Sequence, residues 1–528
     1  MELFMKSAFT TLTLAFTLLF FALCPINAQA SLSKTQQHAD LKVIFSDLLD
    51  QYEQAMTGTG TTFVTEGETL IEESEGYFAI TLPHISLEND DGSHTDIGMI
   101  AINAVPGDTA DEWKMTAAMP TPIVYYDEQD APFMTLNIGA QNFAGIWHKS
   151  FRNFIKLNAL YRDVEVQEHQ KGVSVKMPVT KLIYDLKRDD NQLWSGPFSI
   201  ISNNIGINVE DELAGATIKE IAIKSDVTDY SIEAVVDYQD KINALNESYM
   251  AGDTEVSTEH VLGLYNLIAG FLGTAWDGFD FTTSIKGINI TRPEQAGAPE
   301  GSIKIDNGSF SLGMSGFRSN AVNMGIKFSY DGFKMEPQSN NLNEASPDHI
   351  HFDLSINKLP YKELVELGKT SIQALMTAPE SSTLVGLQAM VMVPQLLTQA
   401  QTNLALTETS VGNDKYKIHG NGKMTADLNA AMGMTGQANA KIHGLDVLID
   451  SLNKAAASEE IDEDKAKNIQ DTLQALTMIK MVGQMEKDEM GRDIRTYDLQ
   501  LTSEGKAILN GSDLQAFIKS NQSNEQAN

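Results

Sequence analysis

The chain has 528 residues, 42% of them hydrophobic and 21% charged, a make-up that fits a globular protein and excludes a disordered or collagen-like one. Its formal net charge of -33 excludes recognition of nucleic-acid phosphates or anionic lipid headgroups through a basic patch as the main mode of binding. The one cysteine, Cys24, leaves no room for a disulfide framework or a cysteine-based metal centre.

The opening residues read as a secretory signal. Lys6 precedes an apolar run over residues 8–23, and the run ends at Pro25 and the small-residue triplet Ala28-Gln29-Ala30. Cleavage after Ala30, removing residues 1–30, is expected to deliver a soluble periplasmic protein. Leu23 before Cys24 and Pro25 after it are the wrong neighbours for a lipidated cysteine, so the mature chain is expected to be free of thiol and of lipid. The most apolar later stretches are 261–276, interrupted by Gly263, Gly270 and Gly273, and 384–397, interrupted by Gln388 and Pro394. Both fall short of the roughly 20 residues a helical span needs.

Leu41, Ile44, Leu48 and Tyr52 recur at helical spacing and predict an opening helix. From about residue 61 to residue 217 the pattern is alternation broken by turn residues: Met134, Leu136 and Ile138 on one strand, Val173, Val175 and Met177 on another. Asp90-Asp91-Gly92 and Asp189-Asp190-Asn191 predict tight turns. Tyr230, Ile232, Ala234 and Val236 read as a strand running into a helix that carries Ile242, Leu245 and Tyr249.

Residues 261–276 are apolar nearly all round and predict a helix buried on a sheet; a mobile lid over a groove is the other reading. Ile303 and Ile305 lead through Asp306-Asn307-Gly308 to Phe310 and Leu312, and Phe328-Ser329-Tyr330 leads through Asp331-Gly332 to Phe333, two predicted hairpins. Ile350, Phe352, Leu354 and Ile356 predict a strand followed by a helix with Leu364, Leu367 and Leu375. Flexible side chains at Met390 and Met392 suit adaptable contact surfaces. Ala438, Ala440 and Ile442 predict a strand leading to a helix with Leu445, Leu448 and Leu452. An acidic run at 458–464 then opens a helix striped by Ile469, Leu473, Leu476 and Met485. A last strand carries Tyr497, Leu499 and Leu501, before a polar tail at 520–528.

Chemistry-bearing patterns are few. His349, His351 and Asp353 fall on one face of a strand, as metal ligands would, but so do the polar residues of any strand with one wet side, and no metal site is expected there. The run Asn89, Asp90, Asp91, Gly92, Ser93 and Asp96 lacks the spacing and closing glutamate of a calcium loop. Gly313-Met314-Ser315-Gly316 is not a nucleophile elbow, and Thr57-Gly58-Thr59-Gly60 lacks the lysine of a phosphate loop. No catalytic, cofactor-binding or metal-binding residue is assigned.

The C-terminal third carries a Gly-rich strand around Gly420-Asn421-Gly422-Lys423, then Thr435-Gly436, then Gly444-Leu445 opening a helix, a second helix with methionines, and a closing strand with Asn510-Gly511. With the signal peptide and the helix around Leu41, this order resembles an exported alphaproteobacterial family known as a domain of unknown function, number 2125 of that series. The resemblance spans the whole chain, apart from the acidic link at 458–464, and implies no activity and no site residues.

The expected fold is α+β, mostly antiparallel sheet with long strands and several packed or inserted helices. The expected subregions are a β-rich part at 31–255 with its opening helix, a central part at 256–357 with the apolar helix and hairpins, and a helix/strand part at 358–519. The expected function is non-enzymatic: an exported envelope protein whose β-groove binds a hydrophobic or lipid-like ligand or a partner segment. A structural or assembly module without ligand is the rival reading, and a hydrolase the third.

Overall fold

The computed structural model describes residues 33–56, 59–170, 172–209, 214–250, 258–293, 300–336, 345–378, 382–457 and 463–514. The expected signal peptide with Cys24 and Ala30, the start of the acidic run and the C-terminal tail lie outside the described residues. The protein is strand-rich and its sheets are antiparallel, with seven α-helices among the described residues. The chain divides into two compact units, Met1–Gly252 and Asp253–Asn528.

Unit 1 runs through α1 (Lys34–Met56), β1 (Thr61–Glu66), β2 (Leu70–Ser74), β3 (Tyr77–Thr81), β4 (His84–Asn89), β5 (His94–Gly98), β6 (Ala101–Pro106), β7 (Glu112–Ala118) and β8 (Ile123–Tyr126). The longer strands β9 (Pro132–His148), β10 (Asn153–Glu168), β11 (Val173–Asp185), β13 (Trp194–Val209) and β14 (Ala214–Tyr230) follow, with a short β12 (Lys187–Arg188) between, and α2 (Ile232–Met250) closes the unit. The sheet forks at β9. Its C-terminal part pairs with β7 and leads through β6 and β3 to β2, whereas its N-terminal part pairs with β8 and leads through β5 and β4 to β1. Leu41, Phe45 and Tyr52 of α1 share one core with Ile80 and Trp113 from the first branch and Leu87 and Ile97 from the second.

The other edge of β9 continues through β10, β11 and β13 to β14. In β10 the buried side changes from Leu157, Ala159 and Tyr161 to Val164 and Val166 across Asp163, whose φ is 51°. A left-handed residue inside a strand swivels the backbone, so residues of opposite parity reach the same core. Asn204 of β13, at φ 55°, also lies mid-strand, just before buried Ile205.

The predicted strand at 230–236 is corrected: β14 ends at Tyr230 and α2 begins at Ile232. The Ser231 hydroxyl accepts the amide of Ala234 at 3.2 Å, and Ile232 and Val235 are buried three residues apart. The N-cap fixes the helix start, and a 3.6-residue period fits these apolar positions as well as alternation does.

Unit 2 contains α3 (Thr258–Thr274), β15 (Gly278–Arg292), β16 (Gly301–Ser315), β17 (Val322–Asp331), β18 (Lys334–Glu336), β19 (His349–Leu359), α4 (Tyr361–Thr377) and α5 (Ser382–Ala400). It continues with β20 (Asn403–Gly412), β21 (Lys417–Ala426), β22 (Met434–His443), α6 (Leu445–Ala456), α7 (Glu463–Val482), β23 (Gln484–Lys487), β24 (Asp493–Leu501), β25 (Ala507–Leu509) and β26 (Ser512–Asp513). The spatial order is β15, β16, β17, β19, β20, β21, β22, β24, β25, β26. Short β18 lies beside β16, and β23 beside β24. Asn357, near which a boundary was expected, sits inside β19 opposite Asn403, so unit 2 runs across it.

Both predicted central hairpins are corrected. Asn307 and Gly308 are interior to β16, paired with Lys286 and Ile285 on one side and with Asp331 and Tyr330 on the other. Partners on both edges hold the segment extended, which overrides its local turn preference. Asp331-Gly332 does bend the chain, with Gly332 at φ 70°, but β17 and β18 both pair with β16 and not with each other. Met485 likewise belongs to β23 and not to the stripe of α7.

Candidate functional site

The unit 2 sheet sorts its side chains by chemistry. Directly opposed residues run in rows across the strands: Ile326, Leu354, Leu406, Gly422, Ala438 and Leu499 form one, and Met324, Ile356, Leu404, Met424, Gly436 and Leu501 the next. Phe310, Phe328 and Phe352 form a third. With neighbouring strands ~4.8 Å apart, a row crossing six strands is about 24 Å long, the scale of an extended acyl chain. The alternate positions are polar: Lys327, Asp353, Lys423, Gln437, Asn439 and Gln500.

Part of the apolar face is covered. Leu445, Leu448 and Leu452 of α6 and Ile469 and Leu476 of α7 form a core with Tyr416 and Ile442, against which Ile418 and Tyr497 pack. The Tyr497 hydroxyl donates to the carbonyl of Ile479 at 3.0 Å, pinning α7 to β24. The rest lies open: Phe310 is 42% exposed, Ile326 42%, Phe328 44%, Phe352 37%, Leu404 40% and Met424 38%. Together these residues make a contiguous half-exposed apolar surface, a feature that often accompanies binding sites.

At the β15–β17 end the face deepens into an open cavity of ≈ 570 Å³, within the range of small-molecule sites. Ile285, Ile288, Ile305, Phe310, Phe328 and Phe333 are among its walls. Ile285 and Ile288 have opposite parity on β15, and both face the cavity because Gly287, at φ 61°, swivels the strand between them. Tyr330 brings a polar group to the wall; its hydroxyl donates to the carbonyl of Pro347 at 3.3 Å, and burial pushes its pKa above the ordinary value.

Unit 1 holds a second apolar cavity, between α1 and the forked sheet. Its ≈ 120 Å³ is lined by Ile44, Leu48, Tyr52, Ile102, Ala117 and Tyr161 among others. Burial pushes the Tyr161 hydroxyl up to about 12. A void of ≈ 120 Å³ costs about 3 kcal/mol at 24 cal/mol per Å³ and is too small for a long chain, so the open face of unit 2 is the stronger site.

The histidine strand does not converge. His349 Nδ1 lies 2.7 Å from Asp348, His351 Nε2 2.9 Å from Asp331, and Lys327 3.1 Å from Asp353, so each member has its own partner. Among the described residues no three His, Cys, Asp or Glu side chains are grouped to hold a metal ion. The turn at residues 89–93 is built from its own bonds: Asp91 accepts both the amide and the hydroxyl of Ser93, at 2.9 and 2.6 Å, and these bonds hold its carboxyl below the usual range. Of the Thr57-Gly58-Thr59-Gly60 run, residues 57–58 lie outside the described residues.

The apolar helix at 261–276, predicted as core, is half-exposed. No residue of α3 with a described side chain is fully buried, and Leu264 and Ile268 are 37% and 46% exposed. It is held to α4 by the hydroxyls of Tyr265 and Tyr361, which donate to the carbonyls of Val365 and Ala269. No family model, curated protein or solved structure matches the chain.

Proposed function

We propose that this is an exported periplasmic protein that binds a lipid-like molecule, laying its acyl chain along the open apolar face of unit 2. The observation that carries the reading is the contiguous set of half-exposed side chains in the opposed rows around Phe310, Phe328 and Phe352. Burying a large apolar side chain completely contributes about 1.5–3 kcal/mol, so the exposed remainders of six such residues amount to on the order of 5 kcal/mol. The ligand adds about 0.8 kcal/mol for each of its own buried methylenes, which brings micromolar affinity within reach. Export rests on the N-terminal pattern ending at Ala30, and the resemblance to the exported family of unknown function is compatible with it.

Titration with a fluorescent long-chain fatty acid tests the reading. Micromolar binding is expected in the wild type, weakened at least tenfold in the double variant Phe310→Ser, Phe328→Ser. Because both rings are more than a third exposed, the variant should stay folded, which circular dichroism checks. Absence of binding by the wild type, or equal binding by the folded variant, would favour the rival reading of an assembly module whose apolar face is covered by another protein.

A further inference from the structure

Helix α5 carries the most exposed apolar stripe in unit 2. Leu384 is 68% exposed, Leu387 55%, Met390 75% and Val391 65%. At 100° per residue these four positions fall within an arc of roughly 120°, so they form one face. Val385, by contrast, is buried, and the helix rests on β19 and β21, two of the strands that carry the groove rows.

Outside the expected signal sequence, the segment around this helix is set apart from the rest of the chain. Residues 381–407 contain no Asp, Glu, Lys, Arg or His, although 21% of the whole chain is charged. The stripe carries no aromatic or arginine anchor of the kind that dominates protein–protein interfaces, since α5 contains no Trp, Tyr, Phe or Arg, and Met390 is the stripe's one residue of an interface-enriched type. Among its amides, Gln388 is turned onto its own helix, its Nε2 3.4 Å from the sulfur of Met392. What remains is an apolar surface without charge, which a hydrocarbon interface accommodates. The helix is not long and apolar enough to cross a membrane.

We propose that α5 docks the protein on a zwitterionic bilayer, with Leu384, Leu387, Met390 and Val391 in the acyl boundary and the adjoining β-groove positioned to exchange a lipid with it. The exchange step rests on the lipid reading of the groove; the docking does not. The -33 charge of the chain makes anionic headgroups unfavourable neighbours, so an uncharged contact helix and a zwitterionic surface match each other.

The test is flotation of the full-length mature chain with phosphatidylcholine vesicles, beside the variant Leu384→Glu, Met390→Glu, with fatty-acid titration in vesicle-free solution as a separate readout. Both substitutions fall on strongly exposed positions, so folding should be retained. The wild type is expected to float with phosphatidylcholine and to bind less when phosphatidylglycerol is added, and the variant to lose at least tenfold in partitioning while binding the free fatty acid as before. If the variant keeps its fatty-acid affinity but loses flotation, docking is supported; if the groove fails to bind while flotation persists, docking stands and the lipid reading of the groove falls. No flotation of the wild type, unchanged flotation of the variant, or a requirement for anionic lipid would each overturn the proposal. So would a wild-type dimer in solution that the variant dissolves, because the stripe would then belong to a second copy of the chain.

Discussion

His148 shows how burial of one side chain sets a pH dependence. It ends β9, packs edge-on against Trp194 at 5.7 Å, and its Nδ1 is buried without a partner. Burial lowers its pKa, with Asp111 and Glu112 opposing and Arg188 assisting. A histidine whose folded value lies below its unfolded 6.5 favours folding in the neutral form, so its contribution is complete above pH ~6.5 and is lost as the pH falls below that value. Urea unfolding at pH 7.5 and 5.0 is therefore expected to show a loss of stability on acidification that shrinks in His148→Gln; an unchanged pH slope would contradict this. Gly444 is a second decisive residue. It links β22 to α6 at φ 65°, and a Cβ there would lie 2.1 Å from the carbonyl oxygen of Lys415. Gly444→Ala combines left-handed strain with a backbone clash and should cost about 2–4 kcal/mol, read from the shift in urea midpoint. A shift below 0.5 kcal/mol would show that the turn relaxes freely.

Helix α1 shows how an element is held over a sheet by few polar contacts. Asp40 pairs with Lys149 at 2.5 Å and accepts the indole of Trp113 at 3.2 Å, while Asp47 reaches Arg152 at 3.6 Å. The Lys149 side chain is only 9% exposed and its ammonium also lies 5.7 Å from the Trp113 ring. Asp40→Ala would leave that ammonium poorly paired in a buried place, so a loss of about 2–3 kcal/mol is expected, together with a change in the emission of Trp113. Neutral behaviour would mean that packing of Leu41, Phe45 and Tyr52 alone fixes the helix. The stripe of α1 was legible in sequence because its period is long and regular. The hairpin signal at Asn307-Gly308 misled for the opposite reason: turn preference is local, whereas both edges of β16 are claimed by its neighbours β15 and β17, whose partner residues lie more than twenty positions from Asn307. Ser231 was the missed sign of a helix start at Ile232, since a capping hydroxyl separates a helix from a strand where four apolar residues cannot.

At the scale of the molecule, two units built from the same kind of strand treat their apolar faces differently. In unit 1 the fork at β9 lets two branches and α1 enclose Trp113, Ile80 and Leu87. In unit 2 the helices α6 and α7 cover one end of the face and leave the phenylalanine row open. Alternation in sequence revealed which residues share a face, as at Ile350, Phe352, Leu354 and Ile356. It did not reveal that this face lacks a cover, because exposure depends on which distant elements pack against it. The swivel at Gly287, which brings Ile285 and Ile288 to one wall, is a backbone property that no side-chain pattern carries. The most direct test of the groove is a crystal structure of the protein with a long-chain fatty acid brominated near its methyl end, located by the anomalous signal of bromine. The expected result is a bromine site over the row of Phe310, Phe328 and Phe352 in unit 2; no site there, or a site only in the small cavity beneath α1, would contradict the account.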